Sequence, residues 1–85
     1  MTAMDILLKE ARAHRTVLIT ASELDGSVET REIEPYSLRP GKSGTDPSLF
    51  GWCMTREAIR SWKVSNIRLA VPTGNSFSPR WPVEL

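Results

Sequence analysis

Residues 49–77, LFGWCMTREAIRSWKVSNIRLAVPTGNSF, contain the pattern that decides the fold of this chain. An apolar run at residues 49–54 precedes a short polar turn, and Arg60, Trp62 and Val64 then alternate with polar side chains. A second alternation follows at residues 67–72. A period of two is typical of strands, and the short spacing favours antiparallel neighbours. The stretch therefore predicts three consecutive strands, of which the first is apolar enough to be buried on both faces.

The N-terminal residues predict an amphipathic helix over residues 2–14. Thr2 followed by Asp5 matches a capping box in which Asp replaces the usual Glu. Basic residues at the end of this segment suit the negative end of a helix dipole. The apolar positions recur with the spacing of one helix face, and they are Met4, Leu7, Leu8 and Ala11.

Two further strands are predicted between the helix and residue 49. Residues 16–24 are β-branched and apolar, and residues 27–34 return after Asp25-Gly26, a pair typical of tight hairpin turns. Pro35 is expected to end the second of these strands, because proline cannot donate a hydrogen bond to a ladder. Residues 39–48 are rich in Gly and Pro and predict an exposed loop.

One helix followed by five short strands predicts a mainly β (α+β) fold, in which an N-terminal helix accompanies a five-stranded SH3-like or Sm-like β-barrel. Barrel closure would remove the free strand edges. Eighty-five residues suffice for one domain and not for two. We therefore expect a single domain at 1–85, with the barrel at 16–72 and a surface-wrapping tail at 73–85 that Phe77 and Trp81 anchor.

Charge and cysteine content place limits on the protein's class. The net charge of +1 predicts no strong overall attraction to nucleic acid or to a membrane. The acids nevertheless concentrate at residues 23–34 and the cations at residues 56–68, which favours either pairing between strands or a basic ligand-facing patch. A single cysteine, no signal peptide and no apolar run of membrane-spanning length indicate a soluble, cytoplasmic protein.

The sequence offers no credible catalytic pair. Cys53 lies in the most apolar predicted strand, where cysteine behaves as a small inert hydrophobe. His14 ends the predicted helix and interacts there with the dipole. One His and one Cys cannot form a typical zinc site unaided. We therefore expect a non-enzymatic protein with no metal and no cofactor.

An ordered series of segments resembles the WYL domain, a bacterial ligand-sensing module. The series begins with Glu34-Pro35-Tyr36, which resembles an acid-Pro-Tyr segment of that family. It continues with LFGWC at 49–53, RSWKVSNI at 60–67 and GNSF at 74–77. The third segment resembles the family's Arg-x-Phe-Arg-x-x-Arg-Ile signature. Pro47-Ser48 stands where the family has Trp-Tyr, and Asn66 replaces a signature Arg.

The resemblance implies a regulatory module that binds nucleotide or single-stranded nucleic acid and modulates transcription or defence. Its ligand contacts would be Arg60, Lys63, Arg68, Tyr36 and Arg39, of which Arg60, at the start of a predicted strand, is the best single candidate. Cations that track phosphate and aromatics that stack on bases suit such a ligand. Trp62 alternates with Val64, which favours a core position over a stacking role.

The departures from the family pattern support an alternative. Replacement of Trp-Tyr and of the signature Arg indicates a decayed pocket, and the chain would then act as an interaction module. Its partner would be a second copy or a separate transcription factor. Salt-dependent binding of short single-stranded oligonucleotides distinguishes the two hypotheses.

Overall fold

The computed structural model describes residues 1–23, 25–41 and 46–85. Within these residues the chain forms an N-terminal helix followed by a five-stranded antiparallel sheet, which confirms the mainly β class. The elements in chain order are α1 (Ala3–Arg12), β1 (Arg15–Ser22), β2 (Val28–Arg39), β3 (Ser48–Cys53), β4 (Ala58–Lys63), a 3-10 helix (Val64–Asn66) and β5 (Ile67–Ser76).

Helix α1 begins with the predicted capping box. The Asp5 amide donates to the Thr2 hydroxyl over 3.1 Å, and the Asp5 carboxylate accepts from the Thr2 amide over 3.0 Å. The helix ends at Arg12, two residues before the predicted end, and it buries Leu7 and Ala11 against the sheet. The capping box thus fixes the start of the helix, and its apolar stripe covers one part of the core.

The sheet has the strand order β4-β3-β2-β1-β5 and is not closed, so the prediction of a barrel is wrong. Every neighbouring pair is antiparallel, which makes the two edge strands, β4 and β5, run in the same direction. Parallel neighbours need a crossover connection of about a dozen residues or more. The 3-10 helix supplies only three, so β5 continues onward from β4 instead of pairing with it.

Strand β2 is longer than predicted and passes through Pro35. The ladder between β2 and β3 shifts register between Pro35 and Ser37, and Pro35 lies opposite Gly51. A register irregularity accommodates proline because the residue there need not donate to the ladder. Pro35 therefore marks an irregularity within β2 and does not end the strand.

Strand β3 alternates in burial, although its composition predicts burial on both faces. Its residues Leu49, Gly51 and Cys53 are buried, whereas Phe50 and Trp52 are partly exposed. The aromatic side chains therefore face the opposite side of the sheet from the core. This second side, formed by β2, β3 and β4, is called the outer face below.

The core lies between α1 and the inner face of the sheet. Trp62 is 4% exposed within it, which confirms the core interpretation of that residue. The turn between β1 and β2 contains Gly26 at φ +88°, in agreement with the predicted hairpin, while Leu24 of the same segment lies outside the described residues. Residues 42–45 of the predicted loop also lie outside them. The buried cluster consists of Leu7, Val17, Ile19, Ala21, Ile33, Leu49, Cys53, Trp62 and Ala70.

No helix in the described part of the chain has the length and apolar character needed to cross a membrane.

Candidate ligand-binding site

The C-terminal residues 77–85, called the tail below, cover part of the outer face. Residues 33–37 of β2 are buried one after another, which a strand with one solvent-facing side would not show. The amide of Phe77 donates to the carbonyl of His14 over 2.8 Å, and the amide of Glu84 donates to the carbonyl of Tyr36 over 2.8 Å. The tail is thus hydrogen-bonded to the body of the fold near both of its ends.

A buried carboxylate holds the middle of the tail. Glu34, whose side chain is 4% exposed, accepts from the Tyr36 hydroxyl over 2.6 Å and from Arg80 Nε over 3.1 Å. The guanidinium of Arg80 also lies 4.2 Å from the ring centroid of Trp52, a cation–π geometry. A buried carboxylate needs such partners, because leaving it unpaired would cost several kcal/mol.

The hydroxyl of Tyr36 connects this ion pair to the tail backbone. It accepts from the amide of Arg80 over 2.9 Å while it donates to Glu34. Burial, aided by the bond to Glu34, raises the pKa of Tyr36 to about 12. Tyr36 therefore keeps its proton at physiological pH. Its hydroxyl links β2 to the backbone of the tail.

Aromatic contacts place Trp81 beside Tyr36 and Trp52. Its ring meets the ring of Tyr36 edge-on, with 5.3 Å between centroids, and lies 6.1 Å from that of Trp52. The ring of Phe77 also meets the ring of Tyr36 edge-on, with 5.7 Å between centroids. Trp81 remains 45% exposed, so a large aromatic surface is held in place and is still open to solvent.

A groove of about 510 Å³ opens between the tail and the outer face, and it is called the outer groove below. Aromatic and apolar side chains predominate in its lining, and one guanidinium and one carboxylate accompany them. The guanidinium of Arg39 lies 5.9 Å from the ring centroid of Phe50. The lining residues are Tyr36, Ser37, Arg39, Phe50, Ile59, Trp81, Pro82 and Glu84.

The structure brings two of the predicted site residues together and separates the other three from them. Tyr36 and Arg39 both line the outer groove. Arg60 points to the other side of β4, where it shares a cavity with Arg56 and with the carboxylates of Glu23, Asp25 and Glu29. Its Nη2 lies 3.8 Å from Glu23 Oε2. The acidic and basic segments of the sequence therefore meet here, at the ends of strands.

Lys63 and Arg68 lie apart from the groove as well. Lys63 Nζ lies 4.0 Å from Asp46 Oδ2, and its side chain is 61% exposed. Arg68 Nε donates to the Ser22 hydroxyl over 3.0 Å. The three cations predicted as ligand contacts thus occupy separate positions, each with a polar partner.

The sequence prediction missed several residues of the groove. Phe50 was part of a strand expected to be buried on both faces, and Ile59 lay in a predicted turn. Glu84 and Pro82 belong to a tail with no periodic pattern. The sequence does contain one signal for the tail, which is the Arg-Trp pair between two prolines at residues 79–82. The prolines lower the entropic cost of ordering this segment, which favours its docking on a surface.

Comparison with known proteins assigns the family of this domain. The profile of the WYL domain matches residues 3–72, which is most of the chain. The chain therefore belongs to the WYL domain family.

A solved structure with the same fold is that of Proteasome accessory factor B/C (PafBC) of Arthrobacter aurescens. The TM-score is 0.77 at 16% sequence identity, over 94% of this chain and 13% of that chain. At this identity the likeness shows the fold alone, and the chain spans a small part of the PafBC chain. No curated protein matches the sequence.

Proposed function

We propose that this WYL domain is a non-catalytic regulatory module that binds nucleotide or single-stranded nucleic acid and thereby modulates transcription or a defence response. The observation that supports this proposal is the composition of the outer groove. Open aromatic surface at Phe50 and Trp81 lies in one concavity with the guanidinium of Arg39. Base stacking on aromatic side chains contributes about 1–3 kcal/mol per base, and a guanidinium binds phosphate through two parallel hydrogen bonds.

The size and rigidity of the groove support the same conclusion. Small-molecule sites usually enclose roughly 300–1,000 Å³, and the outer groove has about 510 Å³. Trp81 is held by Tyr36, and the tail by Arg80 and Glu34, so a ligand would not have to order this wall on binding.

The cations on β4 and β5 support ligand binding less well than Arg39 does. Three carboxylates share the cavity of Arg60, so an incoming phosphate would be repelled as well as attracted. Lys63 is a point charge without a bidentate fork, and the cation–π contacts of the described residues are made by Arg39 and Arg80 instead. We therefore place the ligand at Tyr36 and Arg39, with Arg60 as the competing position.

A titration with single-stranded oligonucleotides tests this proposal. We expect wild-type protein to bind a five-nucleotide strand more weakly at 200 mM than at 50 mM salt, because phosphate contacts release counterions. Arg39→Ala should lose about 1–3 kcal/mol of binding free energy, the contribution of one charge-assisted contact.

Arg60→Ala is the matched control in the same titration, since it removes an arginine outside the groove. Its affinity should equal that of the wild type. If Arg60→Ala weakens binding and Arg39→Ala does not, the ligand lies at the β4 cavity. If neither variant nor wild type binds, the nucleic-acid proposal is excluded.

An exposed apolar patch favours a second candidate function, in which the domain associates with another copy of itself. Leu18 on β1 lies opposite Val71 on β5, with Leu69 two residues away, and the three are 37%, 43% and 54% exposed. β5 is also an edge strand. Contiguous exposed apolar side chains beside a free strand edge are typical of interaction surfaces.

Sedimentation over a micromolar concentration range tests this second function. A self-associating domain should sediment as a dimer that Leu69→Glu converts to a monomer, because the added charge would be buried in the interface. Glu57→Lys, an exposed charge change in the turn before β4, should leave the dimer intact. A monomer at every concentration excludes self-association and leaves only a separate transcription factor as the partner of such a surface.

A further inference from the structure

The outer groove carries one charge of each sign. Among its described lining residues, Arg39 is the one cation and Glu84 the one anion. A site that tracks a nucleic-acid strand needs a row of cations along successive phosphates. The lining of the outer groove contains a cation for one phosphate, which is Arg39. The carboxylate of Glu84 would repel a second phosphate.

We propose that the outer groove binds a single nucleotide with one phosphate and that it prefers a base with an exocyclic amino group. This inference rests on the proposed function and specifies the ligand of the same site. The phosphate would bind Arg39, the base would stack on the aromatic lining, and the amino group would donate to the Glu84 carboxylate.

The chemistry of Glu84 supplies the base preference. An ionised carboxylate is an acceptor only, so it pairs with the amino group of cytosine, adenine or guanine. The carbonyl oxygen that uracil has in the place of cytosine's amino group is also an acceptor, and two acceptors repel each other. Cytosine and uracil are alike in shape, so the groove would distinguish them where the carboxylate meets the group at position 4 of the ring.

The backbone of Glu84 is held in place by the fold. Its amide donates to the carbonyl of Tyr36 over 2.8 Å, and Tyr36 is in turn bonded to Glu34 and to the Arg80 amide. The fixed backbone keeps the carboxylate of Glu84, which is itself exposed, at the outer groove, where a ligand can reach it.

Calorimetry with dCMP, dUMP and a strand of five deoxycytidines tests the inference. We expect dCMP to bind about tenfold more tightly than dUMP, the discrimination typical of one base-edge contact. The strand should bind no more than a few times more tightly than dCMP. For both ligands, log K against log salt should have a slope of about −0.7, the value for one phosphate contact.

Substitutions assign the contacts. Glu84→Gln should abolish the preference for dCMP over dUMP, because an amide can donate to uracil as well as accept from cytosine. Glu57→Gln removes the same charge outside the groove and should keep the preference. Arg39→Ala should weaken dCMP and dUMP equally, about tenfold.

The failure of this inference is distinct from the failure of the proposed function. A strand that binds at least tenfold more tightly than dCMP, with a slope of −2 or steeper, overturns the single-nucleotide inference and retains the nucleic-acid function. Equal affinities for dCMP and dUMP in wild-type protein overturn the role of Glu84. Absence of binding by all three ligands overturns both proposals.

Discussion

Replacing Trp62 with alanine is expected to destabilise the domain by about 3–5 kcal/mol, enough to unfold a large share of the molecules at 37 °C. The indole is 4% exposed and belongs to the buried cluster between α1 and the sheet. Trp62 lies on β4, an edge strand that pairs with β3 alone, so its side chain is a major attachment of β4 to the core. Urea denaturation followed by circular dichroism measures the loss.

Ile59→Ala on the same strand is the control. Ile59 is 45% exposed on the outer face, and its truncation should change the free energy of unfolding by less than about 1 kcal/mol. If Trp62→Ala keeps the wild-type midpoint and loses nucleotide binding instead, the indole is a stacking platform and the core assignment is wrong.

Replacing Gly51 with alanine is expected to cost about 1–3 kcal/mol through overpacking. A Cβ at this position would lie 2.7 Å from the carbonyl oxygen of Glu34, a backbone atom held in the ladder between β2 and β3. Backbone cannot rotate away as a flexible side chain can, so the two strands must separate. Pro35 lies opposite Gly51, so this separation would fall at the irregular part of the ladder.

Thermal unfolding measures this second effect, with Ser61→Ala as the control. Ser61 is exposed on the neighbouring strand and should tolerate alanine with little change in the melting temperature. Gly51→Ala should lower the melting temperature by several degrees, because about 1 kcal/mol corresponds to roughly 4–8 °C in a domain of this size. An unchanged melting temperature would show that β2 and β3 can separate at no cost.

The local sequence was sufficient for α1 and for the burial of β1. Thr2 and Asp5 are three residues apart, and the capping box needs no other part of the chain. Val17, Ile19 and Ala21 alternate and are all buried, because a period of two turns them to one side of any strand. The ordered series of motifs also identified the WYL family without the structure.

The alternation of apolar and polar residues could not predict whether the sheet closes into a barrel. Alternation predicts that strands exist, but it does not state which strands are neighbours. The direction of β5 relative to β4 follows from the pairing of β5 with β1, about fifty residues earlier in the chain. An all-antiparallel order of five strands leaves the edge strands parallel, and a three-residue connection cannot bring them side by side.

The composition of the outer groove also depends on contacts between segments that are far apart in the chain. Arg80 and Glu34 are 46 positions apart, and their ion pair holds the tail across β2 together with the backbone bonds of Phe77 and Glu84. Trp81 and Glu84 become neighbours of Arg39 only after that crossing, whereas the ladder between β2 and β3 already brings Phe50 beside Arg39. The sequence by itself determined the helix, the inward face of β1 and the family, since these depend on spacing along the chain. Only the tertiary structure decided that Arg39 lies beside open aromatic rings and Arg60 beside carboxylates, since these contacts join residues with no regular spacing.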